Sequence, residues 1–403
     1  MCLPGWCLHA QSVNPFFTVS DTNTFVQFGA FADYSAGSFS LTNSFMNAFY
    51  TGSFINQAQK DKVTGRLSAN NNFGADFNEG LFYIAHPDSF FSSTGISWFV
   101  SAKNRSHLDI GFSRDLFKVA FYGNTSFRGQ TADFSNFSIQ DLQYQQFQFG
   151  FIYKYFGAGL SVYNGQSFQN LRVPKASMYT SSGGDYLDFN LAYNRAVSDQ
   201  RIRGPITSNG IGAGLDLFFR LPVKTGSGHA GDLFLEVSDL GFIRWNSHTS
   251  MYRNDTAFHF DGFEIKNAAQ LGDTSIHYSA QSLLHVVPYR QAALTTYLPA
   301  TMDLRYVTAG IRYQFIWGLR YKYNAGYLPY EYVQIKYHFN PHLSIIAGIG
   351  YGGYAHLQTP IGVQASFRHD FSFQAGSTNL AGYLAPAMTG SQGLFLTVTK
   401  GIQ

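Results

Sequence analysis

Apolar and polar residues alternate with a period of two along many stretches of this chain. In the clearest stretch, residues 146–155, aromatic rings occupy every second position and mainly polar residues lie between them. Successive side chains of a β-strand point to opposite faces, whereas a helix turns by about 100° per residue and would scatter these rings around its axis. The stretch therefore predicts a strand with one apolar face. The aromatic positions are Phe147, Phe149, Phe151, Tyr153 and Tyr155.

The same alternation recurs in roughly a dozen or more segments, from near the N-terminus to the C-terminus. The apolar rows lie in residues 26–34, 96–102, 108–112, 211–219, 233–237, 307–315, 333–339, 343–351, 361–367, 371–375 and 394–398. Tight turns are predicted at Asn340-Pro341-His342 and at His369-Asp370. Because single-chain bacterial membrane barrels have even strand numbers, we expect about 14 strands, with 12 and 16 as the alternatives.

The composition separates a membrane barrel from a soluble β protein. Charged residues make up 13% of the chain and aromatic residues 17%, yet the mean hydropathy is only −0.11. No apolar run reaches the roughly 18 residues that a membrane-spanning helix needs. Strands that face lipid on one side and a polar lumen on the other have near-neutral hydropathy. We therefore predict an all-β fold, a transmembrane antiparallel β-barrel, in preference to a soluble sandwich or barrel.

The first residues have the character of a processed leader. Residues 1–11 resemble the end of a secretory signal peptide, with the small residue Ala10 at the predicted cleavage site. The alternative is an ordinary N-terminal segment. Cys2 and Cys7 both lie here, so the mature chain would contain no cysteine. The predicted organisation is a signal-peptide remnant over 1–11 and a single barrel domain over 12–403.

Three regions depart from the strand pattern. Apolar residues between Asn43 and Leu67 follow helical spacing, which predicts a short amphipathic helix inside or against the barrel. Residues 168–209 are predicted to form a polar loop. Residues 246–300 form a long mixed segment in which Ser279 to Leu298 could hold a helical turn around Pro288. Such long excursions belong on the extracellular side, because the periplasmic turns of these barrels are short.

No motif for catalysis, metal binding or cofactor binding is recognisable, so we expect no catalytic residues, no metal site and no cofactor. His338 and His342 are four residues apart but flank a predicted turn, which does not favour a metal pair. The small net charge of +3 and the lack of a basic cluster disfavour nucleic acid as a partner.

Six residues are the candidates for contact with a ligand or for lining the lumen. They are Phe45, Phe49 and Phe54 of the predicted helix together with Asp239, Arg244 and Trp245. The second group would be a feature of the lumen or rim that contacts a plug or ligand. The structural interpretation, which we favour, makes Trp245 an interfacial anchor and pairs Arg244 with a carboxylate across a strand.

Several segments resemble an uncharacterised family of outer-membrane barrels from Bacteroidota that has only a domain-of-unknown-function label. The resembling residues are Leu41 to Asn47, Arg66-Leu67, Asn72 to Asp76 and, above all, Asp239 to Asn246 with the sequence DLGFIRWN. That family is similar in architecture to long-chain fatty-acid transporter barrels and to the shuttle barrel of type IX secretion. The resemblance covers nearly the whole mature chain. It implies an outer-membrane barrel of about 14 strands and no settled activity.

Two functions are compatible with this sequence, and an outer-membrane enzyme is the third and weakest alternative. The first is passage of small hydrophobic molecules across the Gram-negative outer membrane, for which we expect an apolar pocket or a lateral gap in the lumen. A sealed lumen filled with side chains would count against it. The second is a structural or assembly barrel that serves a surface or secretion complex through its long loops. The expected partners are membrane lipid and lipopolysaccharide, with a small hydrophobic ligand for the first function and outer-membrane proteins for the second.

Overall fold

The computed structural model describes residues 26–87, 95–199, 207–225, 228–261, 288–367 and 370–402. The predicted signal-peptide remnant at 1–11, with Cys2 and Cys7, lies outside these residues. The described strands are β1 (Val26–Gly37), β2 (Asn70–Ala85), β3 (Ile96–Ser113), β4 (Gln130–Asp133), β5 (Phe137–Tyr153), β6 (Phe156–Thr180), β7 (Leu187–Val197), β8 (Gly210–Thr225), β9 (Gly228–Trp245), β10 (Ser250–Phe260), β11 (Tyr289–Gln291), β12 (Leu294–Tyr297), β13 (Thr301–Thr308), β14 (Tyr313–Lys322), β15 (Leu328–Asn340), β16 (Leu343–Gly353), β17 (Ala355–Gln358), β18 (Ile361–Phe367), β19 (Phe371–Ser377) and β20 (Ser391–Ile402).

Fourteen of these strands form a closed antiparallel barrel, which confirms the predicted fold. In order around the wall they are β1, β2, β3, β5, β6, β8, β9, β13, β14, β15, β16, β18, β19 and β20. The ring closes where β20 pairs with β1 along its whole length, from Val26 opposite Ile402 to Gly37 opposite Ser391. A closed ring leaves no unpaired edge in the wall, as a strand-built membrane span requires.

The outer face of the wall is apolar and the inner face is polar. On β5, Phe147 and Phe149 are exposed to the outside, whereas Gln146 and Gln148 are buried in the lumen. Exposed aromatic rings gather where neighbouring strands are joined by short turns, at Tyr153, Tyr155, Phe156, Tyr313, Phe315, Phe339, Phe367 and Phe371. Rings in this position form the interfacial girdle of a membrane barrel. We call this end of the barrel the short-turn end and the opposite one the long-connection end.

The helices lie at the long-connection end. The connection from β1 to β2 holds α1 (Asn43–Tyr50) and α2 (Gln57–Thr64), and α3 (Arg114–Tyr122) directly follows β3. A short α4 (Ala381–Leu384) precedes β20. The single predicted helix is thus two helices, because the chain turns through an exposed link at 51–56 and Asn56 caps α2. In the described ranges no helix is both long and apolar enough to cross a membrane.

Two loop predictions and one strand prediction were wrong. Residues 168–199 are not simply a polar loop, because β6 extends to Thr180 and pairs with β7, while 200–206 of the predicted loop lie outside the described residues. Residues 289–297 form β11 and β12 instead of a helical turn, while 279–287 lie outside the described residues. The row over 307–315 is a hairpin in which β13 ends at Thr308 and β14 begins at Tyr313. Ala309 and Ile311 continue the apolar alternation through its turn, so periodicity could not reveal it.

The strands outside the ring prolong the wall at the long-connection end. β6 pairs with β7 beyond the point where β8 begins, β7 pairs with β10, and β10 pairs with β11. The short β12 then joins the upper part of β9. We call this sheet of β6, β7, β10 and β11 the extension. It carries a continuous hydrogen-bonded surface past the ring on one side of the barrel.

Candidate functional site

A large apolar groove lies at the long-connection end, between the outer wall and the helices α1 and α3. Its volume is about 880 Å³, within the range of small-molecule binding sites. We call it the outer-face groove. Its wall side is lined by Tyr34, Ala36, Phe73, Ala75, Leu108, Ile110, Phe112 and Phe137, and its helix side by Leu41, Phe45, Met46, Phe49, Tyr50, Leu116, Phe117, Ala120 and Phe121.

Local sequence explains why the groove forms here. The outward positions of β1, β2 and β3 beside the helices are mainly apolar, as at Ala36, Ala75 and Leu108, and α3 begins as soon as β3 ends because the Ser113 side chain caps it. Phe45 of α1 then packs against Phe117 and Phe121 of α3, with ring centroids 5.4 and 5.0 Å apart. These three rings hold the two helices together, and the space between this pair and the wall is the groove.

The groove has one polar end. The Gln392 side chain donates hydrogen bonds to the Tyr34 hydroxyl at 2.8 Å and to the Asn47 side-chain oxygen at 3.0 Å. All three residues line the groove. A mostly apolar cavity with a few placed polar groups is typical of sites that bind a small molecule and fix its orientation.

The lumen, by contrast, is held by buried charges. Arg105 of β3 forms an ion pair with Asp239 of β9, whose side chain is 1% exposed. The backbone N–H of Asp239 donates to Asp216 of β8 at 2.7 Å. The Asp216 carboxylate also accepts a hydrogen bond from Gln148 of β5. This network links four strands through the interior of the barrel.

A second charged group lies beside the first. Asp76 of β2 accepts from His107 at 2.8 Å and pairs with Lys322 of β14. Asp303 and Arg320 pair at 2.9 Å on the neighbouring strands β13 and β14. The cavity between the two charged groups has a volume of only about 70 Å³.

Apolar clusters lie in other parts of the described lumen, beside buried polar side chains such as Lys336 and Gln364. One contains Trp245, Phe168, Tyr163 and Leu298 beneath the extension. Others contain Tyr327, Tyr330, Tyr332 and Tyr354, and Phe31, Phe82, Phe99 and Phe218. The charged cavity of the described lumen is therefore too small and too polar to be the apolar pocket expected for passage. Neighbouring wall strands are paired around the ring, which does not favour the expected lateral gap.

The predicted phenylalanines lie outside the lumen. Phe45 is 3% exposed and Phe49 is 66% exposed, and both line the outer-face groove. Phe54 lies on the link between α1 and α2 and is 87% exposed, in neither the groove nor the lumen. The helix lies against the outside of the barrel, one of the two positions that its sequence left open.

The three residues of the second predicted group do not all face the same side of the barrel wall. Asp239 and Trp245 point into the lumen and Arg244 points outward. Trp245 is fully buried and its indole N–H donates to Thr296 at 2.9 Å, so its interpretation as an interfacial anchor was wrong. In the register Arg244 is opposite Ile211 and Thr295, not a carboxylate, so the predicted cross-strand pair was also wrong.

The reason lies in a bulge at Asp239. The registers of β8 and β9 shift between Leu215 and Leu217, and Asp239 has a φ of +59°. The extra residue reverses which positions face inward, so Gly241, Ile243 and Trp245 follow Asp239 into the lumen. Sequence alternation alone cannot place such a shift.

Sequence reasoning missed α3, which supplies much of the groove. Its apolar residues Leu116, Phe117, Ala120 and Phe121 follow helical spacing after the capping residue Ser113, and that signal was available. Among the described residues, no group of three or more His, Cys, Asp or Glu side chains could hold a metal ion.

Solved structures of bacterial transporters cover nearly the whole chain at low similarity. The toluene transporter TbuX of Ralstonia pickettii is 7% identical, with 95% of this chain and 90% of that chain covered and a TM-score of 0.41. The toluene transporter TodX of Pseudomonas putida is 11% identical, with coverages of 93% and 88% and a TM-score of 0.39. A FadL homologue of Pseudomonas aeruginosa is 9% identical, with coverages of 94% and 90% and a TM-score of 0.40. Similarity at this level supports no statement about what this chain binds.

Sequence comparison identifies the family. No curated protein is significantly similar to this chain. A family model described as a family of unknown function, DUF5723, matches residues 22–372, which include most of the barrel wall, the extension and the outer-face groove. The chain belongs to the DUF5723 family.

Proposed function

We propose that this protein is an outer-membrane barrel that takes up small apolar molecules at the outer-face groove and passes them into the membrane. The observation that carries the proposal is the groove itself, an apolar space of about 880 Å³ between the helices and the lipid-facing wall. Burying apolar surface there is favourable by about 25 cal/mol per Å². The proposed activity is capture and release and needs no catalytic step.

The location of the groove along the barrel supports this role. The long connections of a bacterial outer-membrane barrel face the extracellular side and its short turns face the periplasm. The groove would then lie at the extracellular rim of the outer membrane, near the headgroups of lipopolysaccharide. Tyr50 and Phe54 are about nine-tenths exposed beside it, at 92% and 87%, and rings at this level suit a membrane interface.

The route that we propose follows the outside of the wall. The outward row that ends in the groove at Tyr34 and Ala36 continues along β1 through Ala32, Ala30 and Phe28. A molecule that leaves the groove along this row enters hydrocarbon without crossing the lumen. A lumen closed by charged and aromatic side chains is therefore compatible with passage of an apolar molecule and unsuitable for passage of a polar one.

Filling the groove tests the proposal. Ala75 lines the groove from β2, so the larger side chain of Ala75→Trp should occupy part of the groove and displace a bound molecule. The matched control is Ala30→Trp, which puts the same side chain on the same outer face of the neighbouring strand, outside the groove. Binding of the apolar dye phenylnaphthylamine to the purified barrel in detergent would be followed by fluorescence.

We expect Ala75→Trp to raise the Kd for the dye by about tenfold, a loss of about 1.4 kcal/mol, and Ala30→Trp to leave it unchanged. Dye transfer into liposomes whose outer leaflet contains lipopolysaccharide should be slower with Ala75→Trp and unchanged with Ala30→Trp. Equal affinity of both variants and the original protein would show that the dye binds elsewhere. If Ala75→Trp reduced dye binding but left dye transfer unchanged, binding at the groove would not be a step of passage.

The second candidate is a structural or assembly barrel, and one observation favours it. The extension is a hydrogen-bonded sheet that rises above a filled lumen, so the fold provides a rigid platform on that side. Affinity capture from detergent-extracted membranes distinguishes the two functions. A stoichiometric protein partner that is lost when β7 and β10 are each replaced by a short linker would support the assembly function. Recovery of the barrel without a partner would oppose it.

A further inference from the structure

A second cavity lies inside the extension, above the lumen. Its volume is about 870 Å³, and it is lined by residues of β6, β7, β10, β11 and β12. We call it the vestibule. Its floor includes Phe168 and Leu294, which also belong to the apolar cluster around Trp245. The vestibule is thus separated from the charged part of the lumen by packed side chains.

Four arginines line the vestibule. Arg195 is opposite Tyr252 on the other face of the sheet, and the remaining three face the vestibule from three strands. In the sheet register Arg172 of β6 is opposite Asn194 of β7, and Asn194 is opposite Arg253 of β10. Residues directly opposite each other point to the same side of a sheet, and so do residues two apart on one strand. Arg172 therefore faces the same side as Asn170 and the buried floor residue Phe168, which is the inner side.

Arg290 of β11 belongs to the same face. It is opposite Met251, which is opposite Ala196, and Ala196 packs against the floor cluster. Arg172, Arg253 and Arg290 all line the vestibule. Amide side chains of Asn170, Asn194, Gln140 and Asn324 line it as well.

The charge of the vestibule is not compensated within its lining. No Asp or Glu is among the described residues that line it, and the structure contains no ion pair to Arg172, Arg253 or Arg290 within the described ranges. The nearest acidic residue on the same face of β10 is Asp255, two residues beyond Arg253 and outside the lining. A concave site with one sign of charge focuses the electrostatic field and concentrates ligands of the opposite charge.

We propose that the vestibule binds a soluble ligand of about disaccharide size that has two or more oxyanion groups, such as sulfates, phosphates or carboxylates. The planar guanidinium of arginine forms paired, charge-assisted hydrogen bonds with such groups, and the amides supply neutral donors and acceptors between them. Because the arginines lie on the inner side of the wall, the ligand comes from the extracellular solution and not from the lipid-facing surface. Because the floor is packed, the vestibule holds the ligand and does not conduct it.

Calorimetric titration of the purified full-length barrel with a sulfated disaccharide and with its unsulfated counterpart tests this assignment. We expect the sulfated sugar to bind at least about tenfold more tightly, with an affinity that falls as salt screens the charges. The double variant Arg172→Gln/Arg253→Gln should weaken the sulfated sugar by about tenfold or more. The control Arg312→Gln removes the same charge at an exposed turn of the opposite end and should leave binding unchanged.

Three results would overturn the proposal. The first is equal binding of the two sugars, the second is unchanged affinity in the double variant, and the third is equal weakening by Arg312→Gln. Nanodiscs with and without lipopolysaccharide identify the source of the anion. If the arginines bound lipid phosphate, the double variant would lose lipopolysaccharide and the soluble sugar would not compete. Phenylnaphthylamine binding at the outer-face groove should not change in either variant, so this test is independent of the proposed uptake function.

Discussion

Arg105 on β3 reaches across the lumen to the buried carboxylate of Asp239 on β9, and three wall strands, β5, β6 and β8, separate the two along the ring. The pair therefore ties opposite parts of the wall together in a way that strand hydrogen bonds cannot. Asp216 lies beside Asp239 and accepts its backbone N–H, and Lys103 lines the same cavity as Arg105 and Asp216. Arg105 is the cation that contacts Asp239 directly, and the first prediction follows from that pair.

Replacing Arg105 by Met should destabilise the barrel by about 3–5 kcal/mol, because it leaves the buried Asp239 carboxylate without its ion-pair partner. The double variant Arg105→Met/Asp239→Asn should recover much of this loss, because it removes the buried charge and asparagine tolerates the positive φ at this position. Urea unfolding in detergent or lipid measures both. Arg220→Met is the control, since Arg220 is 48% exposed in its pair with Asp232 and exposed pairs contribute about 1 kcal/mol or less. Similar losses of unfolding free energy for Arg105→Met and Arg220→Met would mean that the buried pair stabilises the barrel no more than an exposed pair does.

The filled lumen predicts that the protein does not form an open pore. A cavity of about 70 Å³ bounded by paired charges and packed aromatic clusters leaves no continuous water path through the described lumen. In planar bilayers we expect insertion without steady current steps at low voltage. Stable conducting steps from the purified protein would contradict the closed lumen, and with it the route along the outer wall that the proposed function uses.

Asn43 connects the helix layer to the barrel. It is fully buried, and its side-chain amide donates to the carbonyls of Gly382 at 3.0 Å and Ser391 at 2.6 Å. Asn43→Ala leaves these buried acceptors with one partner fewer, at a cost of about 1–3 kcal/mol. We expect faster protease cleavage in the exposed link at 51–56 and weaker dye binding at the groove. For the cleavage measurement Asn47→Ala is the control on the same helix, because the Asn47 side chain is exposed and its oxygen accepts from Gln392. Equal cleavage of both variants would rule out this anchoring role.

Much of the barrel could be predicted from local sequence, because a strand between lipid and lumen must alternate. Phe147, Phe149 and Phe151 point to the lipid as their spacing indicates. The strands of the extension gave no such signal, because a sheet above the membrane has no hydrocarbon to face and can place Arg172 or Asn194 on its inner row. Long-range contacts such as Arg105 with Asp239 join residues 134 positions apart and have no local signature.

The resembling segments of the chain turned out to contain structural junctions. In Asn72 to Asp76, Gly74 leaves room for the Tyr354 ring, which would lie only 2.0 Å from an added Cβ atom. In DLGFIRWN, Asp239 forms the bulge and Trp245 fills the lumen. The candidate sites lie only partly in these segments. Residues 41–47 and 73–75 contribute to the outer-face groove, but α3 and the arginines of the vestibule, which meet through strand pairing, lie outside them. The two segments Asn72 to Asp76 and Asp239 to Asn246 therefore contain residues that join the wall to the lumen and to the connections between strands.

Trp245 offers a direct optical test of this placement. It lies inside the barrel and is fully buried, whereas Trp317 points outward from β14 and is 39% exposed. In variants that retain one of these two tryptophans, bromine-labelled lipid acyl chains should quench the fluorescence of Trp317 strongly and that of Trp245 weakly, because the wall separates Trp245 from lipid. Comparable quenching of the two residues would place Trp245 at the membrane interface after all.

His86 predicts how stability depends on pH at the short-turn end. It directly follows β2, its Nδ1 lies 2.6 Å from the Ser97 hydroxyl, and burial lowers the pKa of its imidazole below the ordinary value. The folded protein therefore favours the neutral ring, while the unfolded chain binds the proton more readily. Its contribution is fully present above the ordinary histidine pKa of about 6.5 and is lost as the pH falls below it.

The unfolding midpoint in urea should accordingly fall between pH 7.5 and pH 5 by less in His86→Gln than in the original protein, since the variant lacks this proton-linked term. His248→Gln, at an exposed site of the opposite end, is the control for the remaining histidines. NMR titration of the His86 ring measures the lowered pKa directly. If His86 titrated at or above the ordinary value, or if both variants changed the pH dependence equally, burial of His86 would not be the cause.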